Sequence, residues 1–288
     1  MKTITAFIKR HPVLTFYALA FALSWGGILI AVGGPGGYPG TPKQVTQLFL
    51  FVMLAWLAGP SVSSLLVTGL VDGQAGLREL LSRLLKWRVG ARWYAVALLT
   101  APLVYVAMSF ALSLTSREFL PNILTTSDTA ALLLMGLAYG LLGGGFCEEL
   151  GWTGFAVPRL RQRYGVLTTG LIVGVLWGAY HFSVIYWSSS PSGALPLVIL
   201  LAQLFAWLPA YRVLMVWVYD RSGSLLVAML MHAVLTSGMI ILTPTAISGV
   251  PLLTWLVVLA AVLWVVVAAV AVASGGHLSQ QPLRRQMA

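Results

Sequence analysis

Cysteine is nearly missing from this 288-residue sequence: Cys147 stands alone, so no internal disulfide and no cysteine-based zinc site can form. Charge is scarce too, at 8% of residues against 59% hydrophobic, roughly a third of what a soluble globular chain carries. Such a chain has too little polar surface for water, which excludes a soluble domain. Acidic residues are scarcest, seven against seventeen Lys and Arg. The formal charge of +10 would point to nucleic acid only if basic residues gathered on one water-exposed domain, and none is available, so nucleic acid is not an expected partner. Internal repeats, a second domain and the His-Glu-x-x-His zinc-protease signature are also missing.

What is present is one apolar run after another. A bilayer core of about 30 Å takes about 20 apolar residues in a helix. Runs of that length predict an all-α membrane protein with eight spans, at about 12–33, 46–70, 93–115, 129–156, 166–188, 194–217, 223–243 and 250–273, forming a single polytopic domain over 1–288. The first run, from Val13 to Val32, is longer than the apolar core of a signal peptide and reads as a span. Gly33 to Gly40, rich in Gly and Pro, reads as an exposed turn.

Short cytoplasmic loops collect Lys and Arg. With both termini inside, all of these residues except Lys43 and Arg117 fall on the inner side, among them Arg78 to Arg92, Arg159 to Arg163, Arg212, Arg221, Arg284 and Arg285. The expectation is therefore a cytoplasmic-membrane protein with both termini inside. Between spans 2 and 3, Leu77, Leu80, Leu81, Leu84 and Leu85 share one helical face, with Arg78, Ser82, Arg83 and Lys86 on the others. That pattern predicts an amphipathic helix in the headgroup plane, with Trp87 and Trp93 as interfacial anchors.

The chemistry sits in polar residues within apolar spans. Glu148 and Glu149 are adjacent inside one span, where a single acid at mid-membrane depth costs about 2.5 to 3.5 kcal/mol. His181 and His232 lie in two others, whereas His11 and His277 lie near the ends. Intramembrane ionisable groups usually face a wet cavity. A Glu with two His can activate water for hydrolysis, or hold zinc or another divalent metal with an open position; the residues alone do not choose. Gly143-Gly144-Gly145 reads as a close helix crossing, and Cys147, in apolar surroundings that disfavour a thiolate, as structural.

Glu148-Glu149-Leu150-Gly151-Trp152-Thr153-Gly154-Phe155 with Pro158-Arg159-Leu160 resembles the first motif of the CPBP intramembrane proteases, which include the type II CAAX prenyl endopeptidases and bacteriocin-processing or immunity proteins. Trp177 to His181 is similar to their aromatic-x-x-x-His motif, and His232 to their His-x-x-x-Asn motif. The resemblance covers residues 77–240. It implies Glu148 as the base that activates water, Glu149 as the second motif glutamate, and His181 and His232 as assistants or metal ligands. It also implies a cavity open to the cytoplasmic side and a peptide or prenylated peptide substrate, cut with zinc or without metal.

The chain departs from that pattern twice. Thr153 stands where the family has Arg, so Glu149 is expected to lack its partner, and Thr236 stands where it has Asn. These departures motivate a second reading, a catalytically impaired binding or immunity protein. A third, a proton-coupled transporter, rests on the buried carboxylates alone.

Overall fold

The computed structural model describes residues 2–189, 191–276 and 278–279. His277, Arg284 and Arg285 lie outside the described residues. A short helix α1 (Lys2–Arg10) precedes α2 (Pro12–Ala31), α3 (Pro42–Leu84), α4 (Ala91–Ser113), α5 (Thr129–Leu160), α6 (Val166–Ser189), α7 (Ala194–Ser222), α8 (Leu225–Leu242) and α9 (Gly249–Ala273). The eight from α2 to α9 are the helices long and apolar enough to cross a membrane among the described residues. A helix can do this because it satisfies its own backbone groups in lipid.

Helix α3 holds both a span and the surface helix. Gly73 breaks it at φ 63°, ψ −153°, a conformation open almost only to glycine, and turns the chain out of the bundle. Beyond the break Leu80 is buried while Leu81 and Leu85 face outward, as an amphipathic surface helix requires. Arg83 Nη1 donates to the Tyr219 hydroxyl at 2.9 Å, tying this helix to the end of α7. The two tryptophans differ from each other. Trp87 is exposed, whereas Trp93 is buried edge-on against Trp217 at 5.1 Å.

Two glycine seams set the helix spacing at the centre. On α6, Gly170, Gly174 and Gly178 recur every four residues. A Cβ at Gly170 would stand 2.6 Å from Val213 Cα, and one at Gly174 2.5 Å from Pro209 Cα, so α6 and α7 meet backbone to backbone. On α5, a Cβ at Gly145 would stand 3.0 Å from Ala233 Cβ and from the Met229 carbonyl of α8. The close crossing expected from Gly143 to Gly145 is therefore present. From Gly140 to Glu148 and again from Trp152 to Ala156 the chain of α5 winds as a π-helix. Such wide turns recur at functional sites.

Candidate active site

The α5 turns bring the two glutamates to the bundle interior, buried at 1% and 0% exposure. Their surroundings differ. Glu148 Oε2 accepts the indole N–H of Trp177 at 2.7 Å and of Trp152 at 3.0 Å. Glu149 meets a cation: Arg212 Nη1 donates to Oε2 and Nη2 pairs with Oε1, both at 2.9 Å. The hydroxyl of Thr153 donates to Oε2, and His232 Nδ1 donates to Oε1 at 2.7 Å. The Arg212 carbon Cζ also stands 4.2 Å over the Trp177 ring, whose N–H holds Glu148.

The partner that Glu149 was expected to lack is thus supplied by another helix. Arg212 was expected on the inner side, near the end of the span over 194–217, yet it is fully buried. Helix α7 runs on to Ser222, and its lower half restarts at Leu208, which places Arg212 one turn into a helix packed on α6. It was missed because a span ending at 217 leaves an arginine near a loop. Its signal was a lone guanidinium inside the apolar stretch from Leu208 to Val218.

The two histidines are oriented by their Nδ1 atoms. His181 Nδ1 lies 2.8 Å from the Trp177 carbonyl, which can only accept, so Nδ1 carries the proton. Its ring packs edge-on against Trp56 at 4.9 Å. His232 gives its Nδ1 proton to Glu149 and sets its ring edge-on to Trp177 at 4.9 Å. Both imidazoles therefore have Nε2 left for a third party.

Glu148, His181, His232, Trp177 and Thr236 line one chamber of about 260 Å³. Glu149 and Thr153 stand behind its wall, bonded to each other and to Arg212. An offset of about 10 Å in depth between Glu148 and His181 is expected from the predicted spans. It shrinks to one helical turn because α5 extends to Leu160: Glu148 is level with Trp177, and His181 lies four residues above it. Cys147 does not line the chamber; its carbonyl accepts from the Ser61 hydroxyl at 2.5 Å.

The chamber narrows at Glu148, Trp177 and His232, which are buried, and widens at Phe49 and Ser188, which are exposed. Phe49 is near the start of α3 and Ser188 at the end of α6, beside the Gly33 to Gly40 turn, where Gly40 N–H bonds the Trp187 carbonyl at 2.9 Å. The basic segments lie at the other ends of these helices. A metal fits less well than a water. Among the described residues no three His, Cys, Asp or Glu side chains are grouped to hold an ion, and two indoles already occupy one Glu148 oxygen.

Residues 129–238 match the family model of type II CAAX prenyl endopeptidase Rce1-like proteins, a stretch that carries Glu148, Glu149, His181, Arg212 and His232. The chain is also 22% identical over 161 residues to a CAAX prenyl protease 2 from Methanococcus maripaludis, across 54% of its own length and 58% of that protein. It thus spans somewhat over half the length of that curated relative. These likenesses, confined to about half of the chain, are to CAAX prenyl endopeptidases and support the resemblance to the CPBP proteases over residues 129–238.

Proposed function

We propose that this protein is an intramembrane endopeptidase that hydrolyses a peptide bond of a membrane-associated or lipidated peptide with a water activated by Glu148. The observation that supports this most is the convergence of Glu148, His181 and His232, from three helices, on one chamber. Trp152 and Trp177 fix Oε2 of Glu148, which leaves Oε1 to accept a proton from water. The Nε2 atom of one of the two imidazoles, His181 or His232, accepts the other water hydrogen and aims the oxygen. As that oxygen bonds to the substrate carbonyl carbon, its proton passes to Glu148. Glu148 then returns the proton to the leaving amine as the C–N bond breaks. The Thr236 hydroxyl is the donor available to the developing oxyanion.

The chamber is small against the ~300–1,000 Å³ of small-molecule sites. Its walls of Phe49, Met53, Trp56, Val184 and Met239 suit an apolar side chain or the start of a lipid chain rather than a whole prenylated peptide. With the basic loops in the cytoplasm, the substrate reaches the chamber from the non-cytoplasmic half of the bilayer. The purified protein in vesicles, offered prenylated and unmodified membrane peptides, should release fragments detected by mass spectrometry, and Glu148→Gln should release none. Equal release by wild type and Glu148→Gln would sink the assignment. A metal-dependent form of the reaction, using the same Glu and two His, is separated by metal analysis of the purified protein alongside chelator treatment.

A further inference from the structure

Arg212 belongs to none of the motifs, yet it touches both arms of the site. We propose that it is a positioning residue, taking over from α7 the place of the motif arginine that Thr153 replaces, and holding the His232 ring through Glu149 with Nε2 toward the chamber. This inference rests on the endopeptidase reading of the chamber.

The Glu149 carboxylate has about four lone-pair sites; Arg212 Nη1, the Thr153 hydroxyl and His232 Nδ1 donate to it, and Arg212 Nη2 stands in ion-pair contact with Oε1 at 2.9 Å. The guanidinium makes a two-pronged contact that fixes the carboxylate plane, which a point charge does not do. That plane sets where Oε1 stands, and Oε1 sets the rotation of the His232 ring. Charge follows from the same contacts. Arg212 supplies the counter-ion of Glu149. Glu148, on the far side of Trp177, is left as the carboxylate without a cation.

Position 153 explains why only one arginine fits. Thr153 Oγ1 lies 3.5 Å from Arg212 Nη1, and its side chain is 1% exposed. An arginine at 153, one turn from Glu149, would contend with Arg212 for the same oxygens. The two positions are therefore exchangeable but not additive.

Nitrogen-15 histidine spectra of the wild-type protein in lipid discs, assigned against His232→Gln, should show the His232 Nδ1 proton held in a hydrogen bond. Arg212→Leu should lose that signature and lower peptide cleavage about 10- to 100-fold, the usual effect of groups that orient a site from behind. Thr153→Arg alone should also lower cleavage, whereas Thr153→Arg with Arg212→Leu should recover to within about tenfold of wild type and restore the His232 signal. A double variant no better folded and no more active than Arg212→Leu overturns the proposal, as does a wild-type His232 whose Nδ1 carries no hydrogen-bonded proton. Should wild type and Glu148→Gln cleave alike, the endopeptidase reading falls, and the spectra and thermal stability of the exchange pair still decide the role of Arg212.

Discussion

Gly144 and Gly143 are adjacent glycines in one helix, and the structure assigns them opposite sensitivities. A Cβ at Gly144 would stand 2.8 Å from His232 Nε2 and closer still to Thr236 Oγ1, whereas ordinary contact is 3.4–4 Å. The imidazole cannot simply rotate away, because Glu149 holds Nδ1 at 2.7 Å and Trp177 backs the ring. Helix α8 must instead move off α5 by on the order of 1 Å, a displacement that can cost about 100-fold in rate when it misplaces reacting groups. Overpacking costs about 1–3 kcal/mol, offset by up to about 1 kcal/mol from replacing glycine in a helix. The Gly144→Ala protein therefore stays folded, losing about 0–2 kcal/mol of stability and about 100-fold of activity. At Gly143 the nearest atoms to a new Cβ are Leu57 Cδ1 and Tyr139 Cζ at 3.8 Å, ordinary contact, so Gly143→Ala should keep wild-type activity. Thermal unfolding in detergent and peptide cleavage, measured on both variants, check the contrast. Wild-type turnover by Gly144→Ala, or an equal loss at Gly143, would refute the reasoning.

Trp177→Phe keeps the ring beside His181 and His232 but removes a 2.7 Å hydrogen bond to Glu148; at about 1.5–3 kcal/mol for a bond to a charged group, cleavage should fall roughly 10- to 150-fold with little change in stability. Asp220→Asn breaks the buried pair with Arg161, 2.7 Å apart at the ends of α5 and α7, and should cost about 3–5 kcal/mol in unfolding measurements while the folded fraction keeps its turnover. In a Cys147→Ser background, Ser188→Cys on intact cells should react with a membrane-impermeant maleimide and Arg163→Cys should not; the reverse pattern would put the chamber mouth in the cytoplasm.

The spans were legible because lipid demands long apolar runs, and only helix ends needed correction: α3 starts at Pro42 and α5 ends at Leu160, a few residues beyond the apolar periodicity. Glu148, His181 and His232 were legible because ionisable groups are conspicuous in apolar sequence. The contrast between the two glutamates was not. It depends on which donors arrive from α6, α7 and α8, and no local pattern around Glu148-Glu149 encodes their arrival. Arg212 hid for a related reason, since an arginine near a predicted helix end is ordinarily a loop charge. The glycine spacing of α6, every fourth residue from Gly170, was the overlooked sign that α7 is pressed against it, and that contact carries Arg212 inward.

The division of labour between the adjacent glutamates can be read from one chemical change made at each. In Glu148→Gln the amide oxygen still accepts from both indoles, so the buried donors stay satisfied and the fold should hold while proton transfer from water is lost. In Glu149→Gln a single amide oxygen must replace four acceptor sites, and the Arg212 charge is left buried without its counter-ion. Removing one member of such a pair costs about 3–5 kcal/mol, which for a marginally stable membrane protein lowers the yield of folded material as well as activity. The expected outcome is an inactive protein of wild-type thermal stability at position 148 and an inactive, clearly destabilised one at 149. Equal destabilisation at both positions would mean that Glu148 is also held by a cation, and the case for it as the base would fail with the distinction.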